Sequence, residues 1–269
     1  AFTITAESGN DNDGSISWNY SISESALDFL AKDETVTATF TITVSDGKGG
    51  NDSKDVTITI TGTNDAPVIT IVDVAGSITE GSTLSDSGSI SFGDVDLTDR
   101  PTAAEVTKSV SAFKANGTTE LVLTNAQQTA IENAFSITPN GISGSNTNDG
   151  TISWDYSISE SVLDFLAKDE TVTATFTITV SDGKGGSDSE DVTITINGTN
   201  DAPVITVVDV AGSITEGSTL SDSGSISFGD LDLTDRPTAA ETTKLVSAMK
   251  ANGTTVLVLS DTQKSGIEN

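Results

Sequence analysis

From Val36 to Val44 the apolar residues fall on alternate positions, Val36, Ala38, Phe40, Ile42 and Val44, with threonine between them. That period of two predicts a strand with one buried face. Val56, Ile58 and Ile60 repeat the pattern, and the polar run Ser45-Asp46-Gly47-Lys48-Gly49-Gly50 between the two stretches predicts a hairpin. The same pair recurs at Val172 to Val180 and Val192 to Ile196. Asn116-Gly117, between 106–114 and 118–123, predicts a further hairpin, because both central residues of its turn need positive φ. Two short helical turns interrupt the β pattern. Thr124 or Asn125 can cap a helix running through Asn133, and Ser159 or Ser161 one near 162–166.

The repetition extends to the whole chain. Trp18 recurs as Trp154, Asp65 as Asp201 and Asp94 as Asp230, each 136 residues on, and Glu34 to Gly50 is identical to Glu170 to Gly186. Ala1-Phe2 matches Ala134-Phe135 at a spacing of 133, so a loop ahead of Asp149-Gly150 carries three extra residues. Gly-Thr-Asn-Asp-Ala-Pro occurs at 62–67 and 198–203, and proline holds the residue before it extended, which makes these segments stiff connectors. They divide the chain into the C-terminal part of one module (1–64), a complete module (65–200) and the N-terminal part of the next (201–269). The sequence therefore reads as a window onto a longer array, or as half-modules that neighbouring chains complete. A core around Trp154, Phe165, Phe176 and Ile178 suffices for a module of this size, and Trp18 and Trp154 are expected inside it.

Composition sharpens the chemistry. The 269 residues hold 40 Asp and Glu against 12 Lys and Arg, and neither cysteine nor histidine. Disulfides, thiolate nucleophiles, imidazole bases and the usual zinc ligand sets are thereby excluded. A net charge of −28 argues against nucleic acid or an anionic membrane as partner. No stretch approaches the roughly 18 to 20 apolar residues of a membrane span, and Ala1-Phe2-Thr3-Ile4 does not resemble a signal segment. Carboxylates at this density repel in a compact state, and divalent cations are the natural counter-charge. Calcium takes six to eight oxygen ligands gathered from loops. The run Asp94-Val95-Asp96-Leu97-Thr98-Asp99 follows a strand and repeats as Asp230, Asp232 and Asp235, in fixed relation to Asn64-Asp65 and Glu80.

The run from Glu170 to Val204 resembles the VCBS repeats of giant bacterial adhesins, cadherin-like modules often exported by type I secretion. Gly150 to Tyr156 before it and Ile226 to Asp232 after it extend the match, which covers essentially the whole chain. The extra residues around 100–145 lie outside the usual repeat. The resemblance implies an all-β fold of tandem cadherin/Ig-like Greek-key β-sandwich modules with short helical turns. It further implies a calcium-rigidified extender of a surface adhesin, extracellular, with neighbouring copies of the repeat as partners in cis or in trans and a ligand-binding domain elsewhere.

The Asn-Asp-Ala-Pro joint is also similar to the calcium linker of cadherins. Carried over, one joint uses Glu34, Asn64, Asp65, Asp94 and Asp96, and the second Asn200, Asp201, Glu80, Glu170, Asp230 and Asp232. Glu216 points to a third, and Asp99 and Asp235 complete the acidic loops. Cadherin linkers carry one more Asp where this chain has Gly62 or Gly198, so fewer ions per joint are implied. Turn chemistry alone accounts for Asp46 and Asp182, Asp52 and Asp188, and Asp11, Asp13 and Asp149.

Other functions fit less well. Lys48 and Lys184 lack the spacing and the following helix of a phosphate loop, and paired carboxylates for glycoside hydrolysis lack an inferable cleft. The threonine rows, which could bind ice, follow from β propensity. A subunit of a calcium-stabilised extracellular filament is the main competitor to the extender.

Overall fold

The structure is a computed structural model that describes residues 1–7, 12–140 and 148–268. Asp11 and the site of the three extra residues lie outside the described residues. The chain divides into two compact units, Ala1–Ala202 with Leu231–Thr234, and Pro203–Asp230 with Asp235–Asn269.

The first unit begins with an open half-sandwich. β1 (Phe2–Ala6) pairs antiparallel with β2 (Ile16–Tyr20), and β3 (Thr35–Ser45) with β4 (Asn51–Thr61). The two pairs meet where Phe2 stacks on Phe40 at 4.1 Å between ring centroids. The period of two is realised: Val36, Ala38, Phe40 and Ile42 point inward and the threonines outward.

A closed sandwich follows. Its strands are β5 (Val68–Val72), β6 (Ala75–Thr79), β7 (Ser85–Gly93), β8 (Thr102–Phe113), β9 (Phe135–Asn140), β10 (Gly150–Ser157), β11 (Thr171–Ser181) and β12 (Ser187–Asn197). One sheet has the order β5-β7-β10-β9 and the other β6-β12-β11-β8, antiparallel throughout except for the parallel pair β6 and β12. The alternate residues Val172, Ala174, Phe176, Ile178 and Val180 of β11 are all buried, as are Val192, Ile194 and Ile196 of β12, facing Ile152, Trp154 and Tyr156 of β10. Trp154 lies opposite Gly88, where a Cβ would come within 2.6 Å of the indole, so this ring requires glycine across the strand pair. Its Nε1–H donates to Asp73 O at 2.6 Å. Tyr156 donates its hydroxyl to Ile131 O at 3.2 Å, and burial pushes that phenol above its ordinary range.

α1 (Asn125–Glu132) starts at Thr124 with a reciprocal capping box to Gln127. α2 (Glu160–Leu163) starts after Ser159, whose hydroxyl makes no cap hydrogen bond. The chain turns at Asn116-Gly117, but only Gly117 takes positive φ (+67°) and its N–H donates to Lys114 O at 2.8 Å, so the loop is longer than the two-residue Asn-Gly turn expected; the strand expected over 118–123 reduces to a single bridge between Phe113 and Glu120. β8 pairs with β11 and needs no second neighbour.

The second unit holds β13 (Val204–Val208) paired with β14 (Ile226–Gly229), β15 (Ala248–Met249) paired with β16 (Val256–Leu257), and α3 (Asp261–Glu268). Its apolar residues, Ile205, Ile226, Phe228 and Leu245 among them, are exposed. Trp18 departs from expectation in the same way. It is 49% exposed where Trp154 is fully buried, because the strands that cover Trp154 have no counterpart over β2.

Candidate metal centre

The first acidic loop starts where β7 ends. Asp96 N–H donates to Asp94 Oδ1 at 3.0 Å and Asp99 N–H to Asp96 O at 3.1 Å, a tight turn that brings the three side chains together. Asp94, Asp96 and Asp99 are all buried, and each offers an oxygen within 4.8 Å of the other two. Ligands on opposite sides of a calcium ion at about 2.4 Å lie about 4.8 Å apart, so this spacing fits one ion.

The linker closes onto this loop. Asp65 N–H donates to Asp96 Oδ2 at 2.9 Å, while Asn64 Nδ2 donates to Asp65 O and to Asp182 Oδ2, each at 2.8 Å. Asp182 sits at the tip of the β11–β12 hairpin. Its Oδ1 accepts N–H groups from Lys184, Gly185 and Gly186 at 2.6, 3.0 and 3.0 Å. From the same tip Lys184 forms an ion pair with Asp99 Oδ1. From the half-sandwich side, Glu34 Oε1 accepts from Thr98 Oγ1 at 2.7 Å and Glu34 Oε2 from Ala31 N–H at 3.2 Å, while Leu97 N–H donates to Phe29 O at 3.2 Å. Glu34 thus ties the loop down with both oxygens engaged.

What the cluster leaves over is specific. Asn64 Oδ1, Asp94 Oδ2, Asp96 Oδ1 and Asp99 Oδ2 are buried and have no hydrogen-bond partner. Buried polar atoms are ordinarily satisfied, and a buried carboxylate needs a partner or a cation. Burial pushes the Asp94 carboxyl up to about 6, with the charges of Asp96, Asp99 and Asp182 adding to it against the Asp96 N–H. Burial also raises Asp96. Asp182 goes the other way: burial opposes it, but the Asn64 amide and the N–H groups of Lys184, Gly186 and Gly185 hold it below the usual carboxylate range. Lys184 is raised by its hydrogen bond to Asp99. An all-oxygen set of carboxylates and one amide carbonyl suits calcium or magnesium, not zinc or copper.

The glycine ahead of each linker Asn-Asp has a steric cause. At Gly198 a Cβ would come within 2.5 Å of Ala167 O, and the Gly198 N–H donates to Glu170 O at 2.9 Å. Gly62 donates likewise to Glu34 O. An aspartate does not fit there.

The residues expected at the second joint divide differently. Asp201 N–H donates to Asp232 Oδ2 at 3.0 Å, and buried Glu170 accepts from Thr234 Oγ1 at 2.8 Å and from Ala167 N–H at 3.2 Å. Asn200 is exposed and donates to Asp201 O at 2.7 Å. Glu80 accepts from Thr199 N–H at 2.7 Å and groups with Glu160 and Asp164, their oxygens within 4.8 Å of one another. Burial lifts Glu80 to about 7, helped by the charges of Asp201, Glu160 and Asp232. Asp230 and Asp235 belong to the second unit and are half-buried, and Glu216, the counterpart of Glu80, is exposed there.

Asp182, Lys184, Glu160 and Asp164 were not among the expected site residues. Asp46, the first copy of Asp182, shows what the hairpin does without a linker beside it. It accepts Lys48 and Gly50 N–H groups at 2.8 and 2.9 Å and stays exposed. Asp188 ties β12 to β5 by accepting Ile69 N–H at 2.8 Å, and Asp52 accepts from Ser53 N–H at 2.9 Å. Asp13 and Asp149 are exposed.

No protein-family model matches the chain, and no curated protein matches it. Among solved structures, the ASH/PapD-like domain of human CEP192 (PapD-like domain 7) is 11% identical at a TM-score of 0.30, covering 50% of this chain and 86% of that one. PcdhgB3 EC1-4 is 14% identical at a TM-score of 0.39, covering 86% of this chain. Mouse clustered PcdhgC3 EC1-3 is 11% identical at 0.37, covering 77%. The chain spans 48% of the former protocadherin chain and 58% of the latter.

Proposed function

We propose that this chain is a structural, non-catalytic repeat of the VCBS type. Calcium at the joint between modules stiffens an extracellular array that carries a bacterial adhesin's binding domain away from the cell surface. The observation that carries the reading is the set of buried, unpartnered oxygens on Asn64, Asp94, Asp96 and Asp99. A divalent cation among them supplies the missing partner for each atom. It also clamps the linker, the loop after β7 and, through Thr98 and Glu34, the preceding half-sandwich, which removes hinge freedom. The second joint is proposed to use Asn200, Asp201, Glu80, Glu170, Asp230 and Asp232, with Asp235 completing its loop, and Glu216 to serve a third.

The boundaries proposed for the modules are 1–64, 65–200 and 201–269. A filament or matrix subunit is the second reading, favoured by the apolar face that β1 to β4 leave open. No helix among the described residues is long and apolar enough to cross a membrane.

Calorimetric titration of calcium into chelator-treated protein tests the metal, and small-angle scattering with and without calcium tests the stiffening. The reading expects saturable binding and a longer maximum dimension with calcium. Absence of binding heat, together with identical scattering curves, contradicts it.

A further inference from the structure

We propose that Glu80, Glu160 and Asp164 hold a calcium ion of their own within the closed sandwich. Glu80 is shared with the second joint. Glu160 and Asp164 have no part in the joint reading, so the site goes beyond that reading and can fail without it.

The three carboxylates arrive from two places. Glu80 follows β6 in a turn bridged by Thr79 and Thr83, where Gly81 takes φ +72°, a conformation that favours glycine. Glu160 and Asp164 stand four residues apart at the two ends of α2, which puts them on one face of its single turn. The pairing of β7 with β10 sets the two elements side by side. Gly81 N–H then donates to Glu160 Oε1 at 2.7 Å, a contact that holds the Glu160 carboxylate beside Glu80. An oxygen of each of the three lies within 4.8 Å of the other two.

Clustered acids are common on protein surfaces, and Glu80 sets this group apart. It is 2% exposed. Its Oε2 accepts Thr199 N–H at 2.7 Å, while its Oε1 is buried and has no hydrogen-bond partner. A carboxylate buried that deeply needs a cationic partner, a proton or an ion. Lys184 answers Asp99 at the first joint, but no lysine or arginine among the described residues pairs with any of these three. A proton would serve Glu80 alone and leave the charges of Glu160 and Asp164 facing each other. One cation answers all three. Calcium takes six to eight oxygens, which three carboxylates and water supply, whereas magnesium sites ordinarily use one or two carboxylates. Glu160 and Asp164 are half-buried, so water reaches the set.

The site staples α2 to the β6–β7 turn where the linker leaves the sandwich. Thr199, in that linker, hangs on Glu80 through its N–H and, at 3.5 Å, through its hydroxyl to Glu80 O. Filling the site thus fixes the first residues of the linker. The ligands recur with the repeat. Residues 21–30 and 157–166 differ only at Ala26 and Val162, so Glu24 and Asp28 repeat Glu160 and Asp164, and Glu216 repeats Glu80.

Calorimetric titration of calcium into the chelator-treated full chain, with hydrogen exchange on the same samples, tests the site. Glu160→Gln/Asp164→Asn removes both charges, and a glutamine oxygen still accepts the Gly81 N–H. Equal melting of variant and parent in chelator checks that the fold is kept. In the parent, calcium at ten times Kd is expected to slow exchange at Gly81 and across 159–165 about tenfold. The variant is expected to bind one calcium fewer per chain and to lose that slowing. Asp94→Asn/Asp96→Asn, which reports on the first joint, is expected to lose binding there and keep the slowing at Gly81, so the two readings fail separately. Unchanged stoichiometry and slowing in Glu160→Gln/Asp164→Asn, or no slowing at Gly81 in the parent, overturn the proposal.

Discussion

Asn64 Nδ2 donates to Asp182 Oδ2 at 2.8 Å across 118 residues of sequence. The contact joins the linker ahead of β5 to the tip of the β11–β12 hairpin. With its amide nitrogen held there, Asn64 keeps its carbonyl oxygen among the unpartnered oxygens of the cluster. Asp182→Ala is therefore expected to weaken calcium binding about 10- to 100-fold, the usual effect of losing a group that orients a ligand. Asp46→Ala, the same turn without a linker beside it, should leave affinity unchanged. Calorimetry on the pair of variants decides, and equal losses would assign Asp182 to turn chemistry alone.

Lys184 sits in the cluster as a tethered counter-charge on Asp99. Without calcium, Lys184→Met leaves a buried carboxylate oxygen unpaired and is expected to cost about 1–3 kcal/mol. With calcium bound, the ion takes over that charge and the cost should shrink. Urea denaturation in calcium and in chelator measures both, and the same loss in each condition would contradict the assignment.

The pH dependence of the chelated protein follows from Asp94 and Glu80, which burial raises to about 6 and about 7. A carboxyl raised in the folded state contributes stability that is fully present below its unfolded value of about 4 and lost as pH rises through the folded value. The melting midpoint in chelator should thus climb as pH falls from about 7.5 to about 5. Calcium competes with the same protons, so its stabilisation should fade over that window. A chelated protein that loses stability on mild acidification would oppose this account.

Two substitutions away from the cluster separate folding from metal binding. Thr124→Ala removes the reciprocal cap of α1 and is expected to cost about 1 kcal/mol. Gly88→Ala places a methyl against the Trp154 indole and should cost about 1–3 kcal/mol. Melting in calcium and in chelator should show the same loss in both conditions for each variant.

Much of this was legible along the chain. The alternation at 36–44 and 172–180 locates β3 and β11, and Thr124, one of the two caps the sequence offers, starts α1. Asp94, Asp96 and Asp99 are close in sequence, so their convergence follows from one turn. Asp182 and Lys184 were not legible as site residues, because their role depends on where a hairpin tip lands 118 residues after the linker. Glu160 and Asp164 meet Glu80 through the pairing of β10 with β7, which carries α2 to the end of β6, where Gly81 N–H donates to Glu160 Oε1 across 79 residues of sequence. Trp18 shows the limit of pattern. The periodicity is correct, but burial needs a partner strand.

The central claim is that a calcium ion satisfies the oxygens of Asn64, Asp94, Asp96 and Asp99. Its most direct test is thermal unfolding of the parent chain and of Asp94→Asn/Asp96→Asn, each in calcium and in chelator. At a hundredfold excess over Kd, binding should stabilise the parent by about 2.7 kcal/mol, a rise of roughly 5–10 °C in Tm for a domain of this size. The variant should lose the part of that rise that the first joint supplies and keep only what the second joint, with Glu80 and its neighbours, contributes. A parent chain whose Tm is the same in calcium and in chelator contradicts the claim.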